Sequence, residues 1–282
     1  MGQSKRTVDL QEGRHVEPTF VQVKRTEIYG GQLVLVNREH PIRKTISSDK
    51  LLPLSVNPSL KVLQDGMLLE KSCLHHLISL LDACQGMEDI VAVSGYRTKE
   101  EQAHIYESSW VENGPEYTAS YVALPDQSEH QTGLAIDVGK ADKDVDFIAP
   151  SFPDSGIYRF FKQLAAQFGF IQRYKEGKEQ ITNIACEPWH FRYVGFPHAV
   201  LMEKNEWCLE EYIDFLQKFT NDGERFKFEN ESLRVEIYYV PAEEGPYTAI
   251  PIISCEHYRL SGNNRDGFII SAFTGKGYTA RA

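Results

Sequence analysis

Apolar residues change their spacing along this chain, and that change limits what it can fold into. Leu74, Leu77, Ile78 and Leu81 recur at helical intervals and predict an amphipathic helix over roughly 67–85, whereas from about residue 228 Leu233, Val235, Ile237 and Tyr239 alternate strictly. The runs IPIIS and GFIIS, separated by Gly, Asn and Asp, extend the second pattern, so the tail is expected to be a small β unit. Short strand-like runs and helices lie between these regions. Ile90–Val93 ends at Gly95, and Thr98 with Glu101 three residues on forms a capping box that fixes a helix start. Arg97 is thereby left at a strand-to-helix turn, a place from which rigid scaffolds present side chains into clefts. Leu134 and Ile136 alternate against Ala135 and Asp137 as in a strand whose polar face carries Asp137. Phe161, Leu164, Ala165 and Phe168 mark a further helix, IQRY is strand-like, YKEGKEQ reads as a hairpin-like turn, and Leu209, Tyr212, Ile213 and Leu216 give a last helix. Pro188 forbids a regular helix before a short strand opened by His190. The polar, proline-containing stretch 139–155 reads as a long loop of the kind that serves as a lid.

With 282 residues, the chain has room for one well-buried catalytic domain and a smaller appendage. The expected division is an arm over 1–45, which includes the extended run Leu33–Val36, a catalytic domain over 46–222 and a β-rich extension over 223–282 that braces it. Forty acidic against 30 basic residues give a net charge of -10, which repels a phosphate backbone and argues against nucleic acid as a partner. No run reaches the ~18 consecutive apolar residues of a membrane span, and the polar start lacks the apolar core of a secretory signal. Cys73, Cys84, Cys186, Cys208 and Cys255 contain no C-x-x-C pair, which excludes a disulfide-dense scaffold and a structural zinc finger. Cys73 and Cys84 fall on or near one helix, but nothing in the sequence supports a bond between them, and a monomer is the default oligomeric state.

His130, Asp137 and His190 fall at strand edges bordering one loop-rich face. Catalytic zinc is typically held by three such ligands with a fourth position open, and it lowers the pKa of water to ~7. Glu187, three residues before His190, stands where a general base for that water belongs. Arg97 offers a planar, permanently charged fork for a carboxylate or a growing oxyanion. Cys186 is a rival ligand, disfavoured because neighbouring residues point in different directions. Asp142, Asp144, Asp146 and Asp154 lack the Gly and final Glu of an EF-hand loop. His75, His76, His104, His198 and His257 are read as structural.

Ser128-x-His130-x-x-Gly133-x-Ala135-x-Asp137, preceded by Ser94-Gly95-Tyr96-Arg97 and followed by Glu187-Pro188-Trp189-His190, resembles the VanY-type zinc D-alanyl-D-alanine carboxypeptidases, over about residues 46–220. These are grouped with the VanX dipeptidases, the LD-carboxypeptidases and the zinc fold of hedgehog proteins. The resemblance implies an α+β fold with a central antiparallel sheet flanked by helices and one Zn2+ per chain held by His130, Asp137 and His190. It makes Glu187 the base, Arg97 the group that steadies the transition state, and Ser128 the contact to the terminal carboxylate. Tyr96, Gln102 and Trp189 become pocket walls. The implied substrate is a peptidoglycan stem peptide ending in D-Ala-D-Ala, which places the protein outside the membrane in the cell envelope and opens a role in glycopeptide resistance. Two alternatives are a D-Ala-D-Ala dipeptidase or dual-activity enzyme, and a non-catalytic zinc-stabilised binding module, against which Glu187 argues.

Overall fold

Ile90–Ser94, buried at every position, is an interior strand of the sheet that carries the site. The computed structural model describes residues 19–231 and 233–275. In chain order β1 (Thr19–Lys24), β2 (Leu51–Pro53), β3 (Lys61–Val62) and β4 (Leu68–Glu70) lead into α1 (Lys71–Ala83), β5 (Ile90–Ser94), α2 (Lys99–Asn113) and α3 (Pro115–Tyr121). There follow β6 (Ala135–Lys140), α4 (Gly156–Ala165), β7 (Phe170–Gln172), α5 (Glu179–Thr182), β8 (His190–Tyr193), α6 (His198–Lys204) and α7 (Leu209–Leu216). The chain closes with β9 (Phe226–Glu229), β10 (Arg234–Pro241), β11 (Tyr247–Ile252), β12 (His257–Gly262) and β13 (Gly267–Thr274).

Five strands form one sheet in the order β3-β5-β6-β8-β7, antiparallel except for the short β3–β5 pair. The architecture is α+β with a central, mainly antiparallel sheet, as the motifs implied. Its core joins Leu74, Leu77 and Leu81 of α1 to Ile136 and Val138 of β6, Phe161 of α4 and Phe191 of β8. Each such side chain contributes ~1.5–3 kcal/mol by leaving water. Thr98 and Glu101 form the capping box reciprocally, with Glu101 N donating to Thr98 Oγ1 at 3.1 Å and Thr98 N to Glu101 Oε2 at 2.7 Å.

The helix expected over 67–85 starts later, at Lys71. Glu70 caps it by accepting from Cys73 N at 3.0 Å, and the residues before the cap, Leu68 and Leu69, pair with β2 instead. YKEGKEQ is no hairpin turn: β7 and β8 are antiparallel neighbours, but the connection between them contains α5. The loop expected over 139–155 begins after Lys140, where β6 ends.

Residues 1–18 of the expected arm lie outside the described residues. The remainder is built into the fold. β1 pairs with β11 of the C-terminal unit, and the run Leu33–Val36 is buried throughout. Val34 and Val36 enter the core under the site sheet, whereas Leu33 and Leu35 enter a second core with α6, α7, Val235 and Ile237. This alternation lets one extended segment close two cores at once. In the tail, β12-β13-β10-β9 form a four-stranded sheet. Val235 and Ile237 of β10 face the second core, and Tyr238 and Val240 face a third with Ile28, Ile250 and Phe268. All five cysteines are free thiols, so the Cys73–Cys84 bond is absent.

Candidate metal and catalytic site

Strand register brings the central groups together. Asp137 of β6 stands opposite His190 of β8, and a register shift in β5 sets Ser94 opposite Asp137 on the other side. His130 sits in a short turn, Glu129–Thr132, that ends on Gly133 at φ 70. A Cβ there would come within 3.0 Å of Leu51 and 3.1 Å of the Glu70 backbone nitrogen, so both the left-handed backbone and the close approach call for glycine.

His130 Nδ1 lies 2.7 Å from the Gly95 carbonyl, which as an acceptor requires the proton on Nδ1 and turns Nε2 toward Asp137 Oδ2 at 3.1 Å. His190 Nδ1 lies 2.9 Å from Asp137 Oδ1. The two imidazoles meet edge to face, with centroids 5.0 Å apart. The donor atoms of His130, Asp137 and His190 lie within 4.8 Å of one another, and all three residues are buried. Asp137 Oδ1 nonetheless forms no hydrogen bond. An oxygen that close to an imidazole nitrogen without a hydrogen bond between them fits two ligands aimed at one shared ion. Two imidazoles and a carboxylate are also the donor set that zinc accepts in open catalytic sites. Cys186 is not part of the group; its Sγ accepts from Gln172 Nε2 at 3.9 Å.

Glu187 is 4% exposed, with Oε2 3.6 Å from His190 Nδ1. Burial is the main influence on its carboxyl and pushes it up to about 8. Burial, with Arg97 nearby, takes His130 down to about 4. For Asp137 burial acts in the opposite direction but is outweighed by His130 and His190, which hold the carboxyl well below its usual range. The site thus keeps one carboxylate firmly ionised and one poised to hold a proton.

Arg97 donates from Nε to Ser94 Oγ at 2.7 Å, from Nη1 to Gln102 Oε1 at 3.3 Å and from Nη2 to Asp137 Oδ2 at 2.9 Å. Gln102 is in turn fixed by donating to the Ala123 carbonyl at 2.7 Å. A small cavity of about 40 Å³ is lined by Arg97, Gln102, Ser128, His130, Asp137, Glu187, Trp189 and His190. Tyr96 is not among its walls. The loop after β6 contributes Phe147 and Ile148, and its Asp146 carboxylate accepts from the backbone N–H of Ile148 and Ala149 at 2.8 and 2.9 Å, a turn-forming role.

Two neighbours of the site were not anticipated. Tyr174 follows Arg173 and packs tilted against the His190 ring, with centroids 4.9 Å apart. Glu129, beside His130, is bound by Arg173 and Arg192. A larger cavity of about 660 Å³, bordered by His75, His76, His198 and His257, lies elsewhere. Among its histidines, His76 is bonded to the Ser72 carbonyl and His198 to Tyr212 and Ser271.

A family model described as VanY, D-alanyl-D-alanine carboxypeptidase, matches residues 66–196. The bifunctional D-Ala-D-Ala dipeptidase and D-Ala-D-Ala carboxypeptidase VanXYC of Enterococcus gallinarum is 43% identical over 187 residues, 65% of this chain and 94% of that protein. The crystal structure of the vancomycin resistance D,D-dipeptidase VanXYg, in complex with a D-Ala-D-Ala phosphinate analog, superposes with a TM-score of 0.85 at 42% identity, covering 90% of this chain and 98% of that one. A mutant of the D,D-pentapeptidase VanY from the VanB-type resistance cassette, in complex with Zn(II), gives a TM-score of 0.51 at 31% identity over 64% of this chain and 98% of that one. The chain belongs to the VanY family of D-alanyl-D-alanine carboxypeptidases.

Proposed function

We propose that this protein is a zinc peptidase that hydrolyses the D-Ala-D-Ala bond of peptidoglycan stem peptides and releases D-alanine. The observation that carries the reading is the convergence of one ligand atom each from buried His130, Asp137 and His190, with an Asp137 oxygen that forms no hydrogen bond and a buried Glu187 alongside. His130 Nε2, the Asp137 carboxylate and His190 Nδ1 would hold one zinc per chain. When bound, zinc supplies Lewis acidity that polarises a scissile carbonyl and makes water acidic near neutral pH.

The chain's own groups do the rest. Glu187 takes the proton of the attacking water and returns it to the departing amine, a cycle suited to a carboxyl that burial has made a better proton acceptor. Arg97 has five N–H donors; three are engaged with Ser94, Gln102 and Asp137, which leaves two for a developing oxyanion or the substrate carboxylate. Ser128 contacts that carboxylate, and Gln102 and Trp189 wall the pocket. Residues 46–222 are the catalytic domain and 223–282 brace it. The protein works as a monomer in the cell envelope, where such stem peptides are exposed.

A second reading is favoured by a specific likeness: the bifunctional VanXYC is matched over nearly its whole length, so activity on free D-Ala-D-Ala is included. The test measures D-alanine release from a pentapeptide ending in Lys-D-Ala-D-Ala and from D-Ala-D-Ala itself, with and without zinc chelation. Chelator-sensitive release from both identifies a dual enzyme, and release from the pentapeptide alone a carboxypeptidase. No release from either, with zinc bound, overturns the peptidase reading in favour of a binding module.

A further inference from the structure

Glu129 is 1% exposed and has no part in the chemistry above. Its Oε1 is fully engaged, accepting from Arg173 Nε at 2.8 Å and from Arg192 Nη1 at 2.7 Å. Its Oε2 faces His190 Nε2 at 3.5 Å, and each of those two buried atoms is without a hydrogen-bond partner. Burying either alone is costly, and each is the other's natural complement.

We propose that Glu129 is a positioning residue: its Oε2 takes the Nε2–H of His190, which keeps Nδ1 free of a proton and aimed at the position shared with Asp137 and His130. The inference rests on the metallopeptidase reading. A purely structural role as counter-ion to the two arginines accounts for Oε1 and leaves Oε2 unexplained. Glu129 is also rigidly held. Arg173 forks onto Glu210 through Nη1 and Nη2 at 2.9 and 2.7 Å, and Arg192 donates from Nη2 to the carbonyls of Gln32 and Val34 at 3.0 and 2.9 Å. Gln32, Val34 and Glu210 lie outside the segment matched by the family model, so this chain orients its ligand from both flanks of that segment. Carboxylates that fix the tautomer of a metal-binding histidine are a general feature of such sites.

Glu129→Gln discriminates well. The two arginines present only donors to Oε1, so the Gln oxygen must face them and its NH2 must face His190 Nε2. That arrangement favours the opposite tautomer, with the proton on Nδ1. Zinc affinity, measured by competition with a chromophoric chelator, is expected to fall ~10–100-fold while the far-ultraviolet circular dichroism spectrum stays that of the wild type. Unchanged affinity in Glu129→Gln overturns the assignment to Glu129 alone; a wild-type chain that binds no zinc overturns the metallopeptidase reading beneath it. Should Glu129→Gln fail to fold, 15N spectra of the zinc-loaded wild type decide, with the His190 signals identified by their absence in His190→Gln. A downfield, slowly exchanging Nε2–H is expected, and coordination through Nε2 overturns the proposal.

Discussion

Arg97 Nη2 donates to Asp137 Oδ2 at 2.9 Å, the same oxygen that stands 3.1 Å from His130 Nε2. The guanidinium is therefore tied to the carboxylate that links the two imidazoles, and its reach toward a substrate depends on the N–H groups left over. Lysine is a single compact charge and cannot hold Ser94, Gln102 and Asp137 in one plane. Arg97→Lys is expected to lower kcat/KM on the stem peptide by ~10–100-fold. Kinetics alongside zinc content by atomic absorption check this; full kcat/KM would show that the fork is dispensable.

Glu187 approaches His190 Nδ1 only to 3.6 Å and is not one of the three converging donors. Glu187→Ala should therefore retain zinc and fold while losing ~10²–10⁴-fold in kcat, the usual contribution of a positioned proton carrier. Full hydrolysis by a zinc-loaded Glu187→Ala would remove Glu187 from the mechanism.

The site was legible in the sequence wherever the relevant spacing is short. Thr98 and Glu101 declare a helix start within four residues, and Ser128 to Asp137 and Glu187 to His190 each fit inside one turn-and-strand unit. Glu129 was not legible, although it lies between Ser128 and His130 of the site motif. It reads as a solvated charge because its partners Arg173 and Arg192 are 44 and 63 residues away. Leu33–Val36 reads as extended but not as a wedge between two cores, since a four-residue apolar run carries no information on what lies to either side. The helix His198–Lys204 leaves no signal in the sequence because Ala199, Val200, Leu201 and Met202 are continuously apolar and show no helical period.

Phe147 reaches the cavity from the loop after β6, with its ring 5.5 Å from the Arg97 guanidinium carbon. It lines the cavity proposed to receive the peptide and has no ionisable group of its own, so trimming it is expected to remove binding shared by ground and transition states. Phe147→Ala is expected to raise KM for the pentapeptide ~10-fold, worth ~1.4 kcal/mol, with kcat changed less than about twofold. A fall in kcat at constant KM would mean that the loop orders the catalytic groups.

His198 joins α7 to the C-terminal sheet, its Nδ1 2.8 Å from Tyr212 Oη and its Nε2 2.9 Å from Ser271 Oγ. Burial, with a smaller contribution from Arg259, lowers its pKa from 6.5 to about 3. Between those values the unfolded chain binds a proton that the folded chain refuses, so the unfolded state gains as pH falls. The stability tied to a neutral His198 is complete above the unfolded value and is lost as pH drops toward the folded one, at up to ~1.4 kcal/mol per pH unit. His198→Gln keeps an amide able to donate and accept but cannot charge. It should be less stable than the wild type at pH 8, through lost packing, and lose less stability between pH 6 and pH 4. Urea midpoints of both proteins across that range decide: parallel pH profiles would mean that His198 accepts a proton in the folded state without opening the α7–β13 contact.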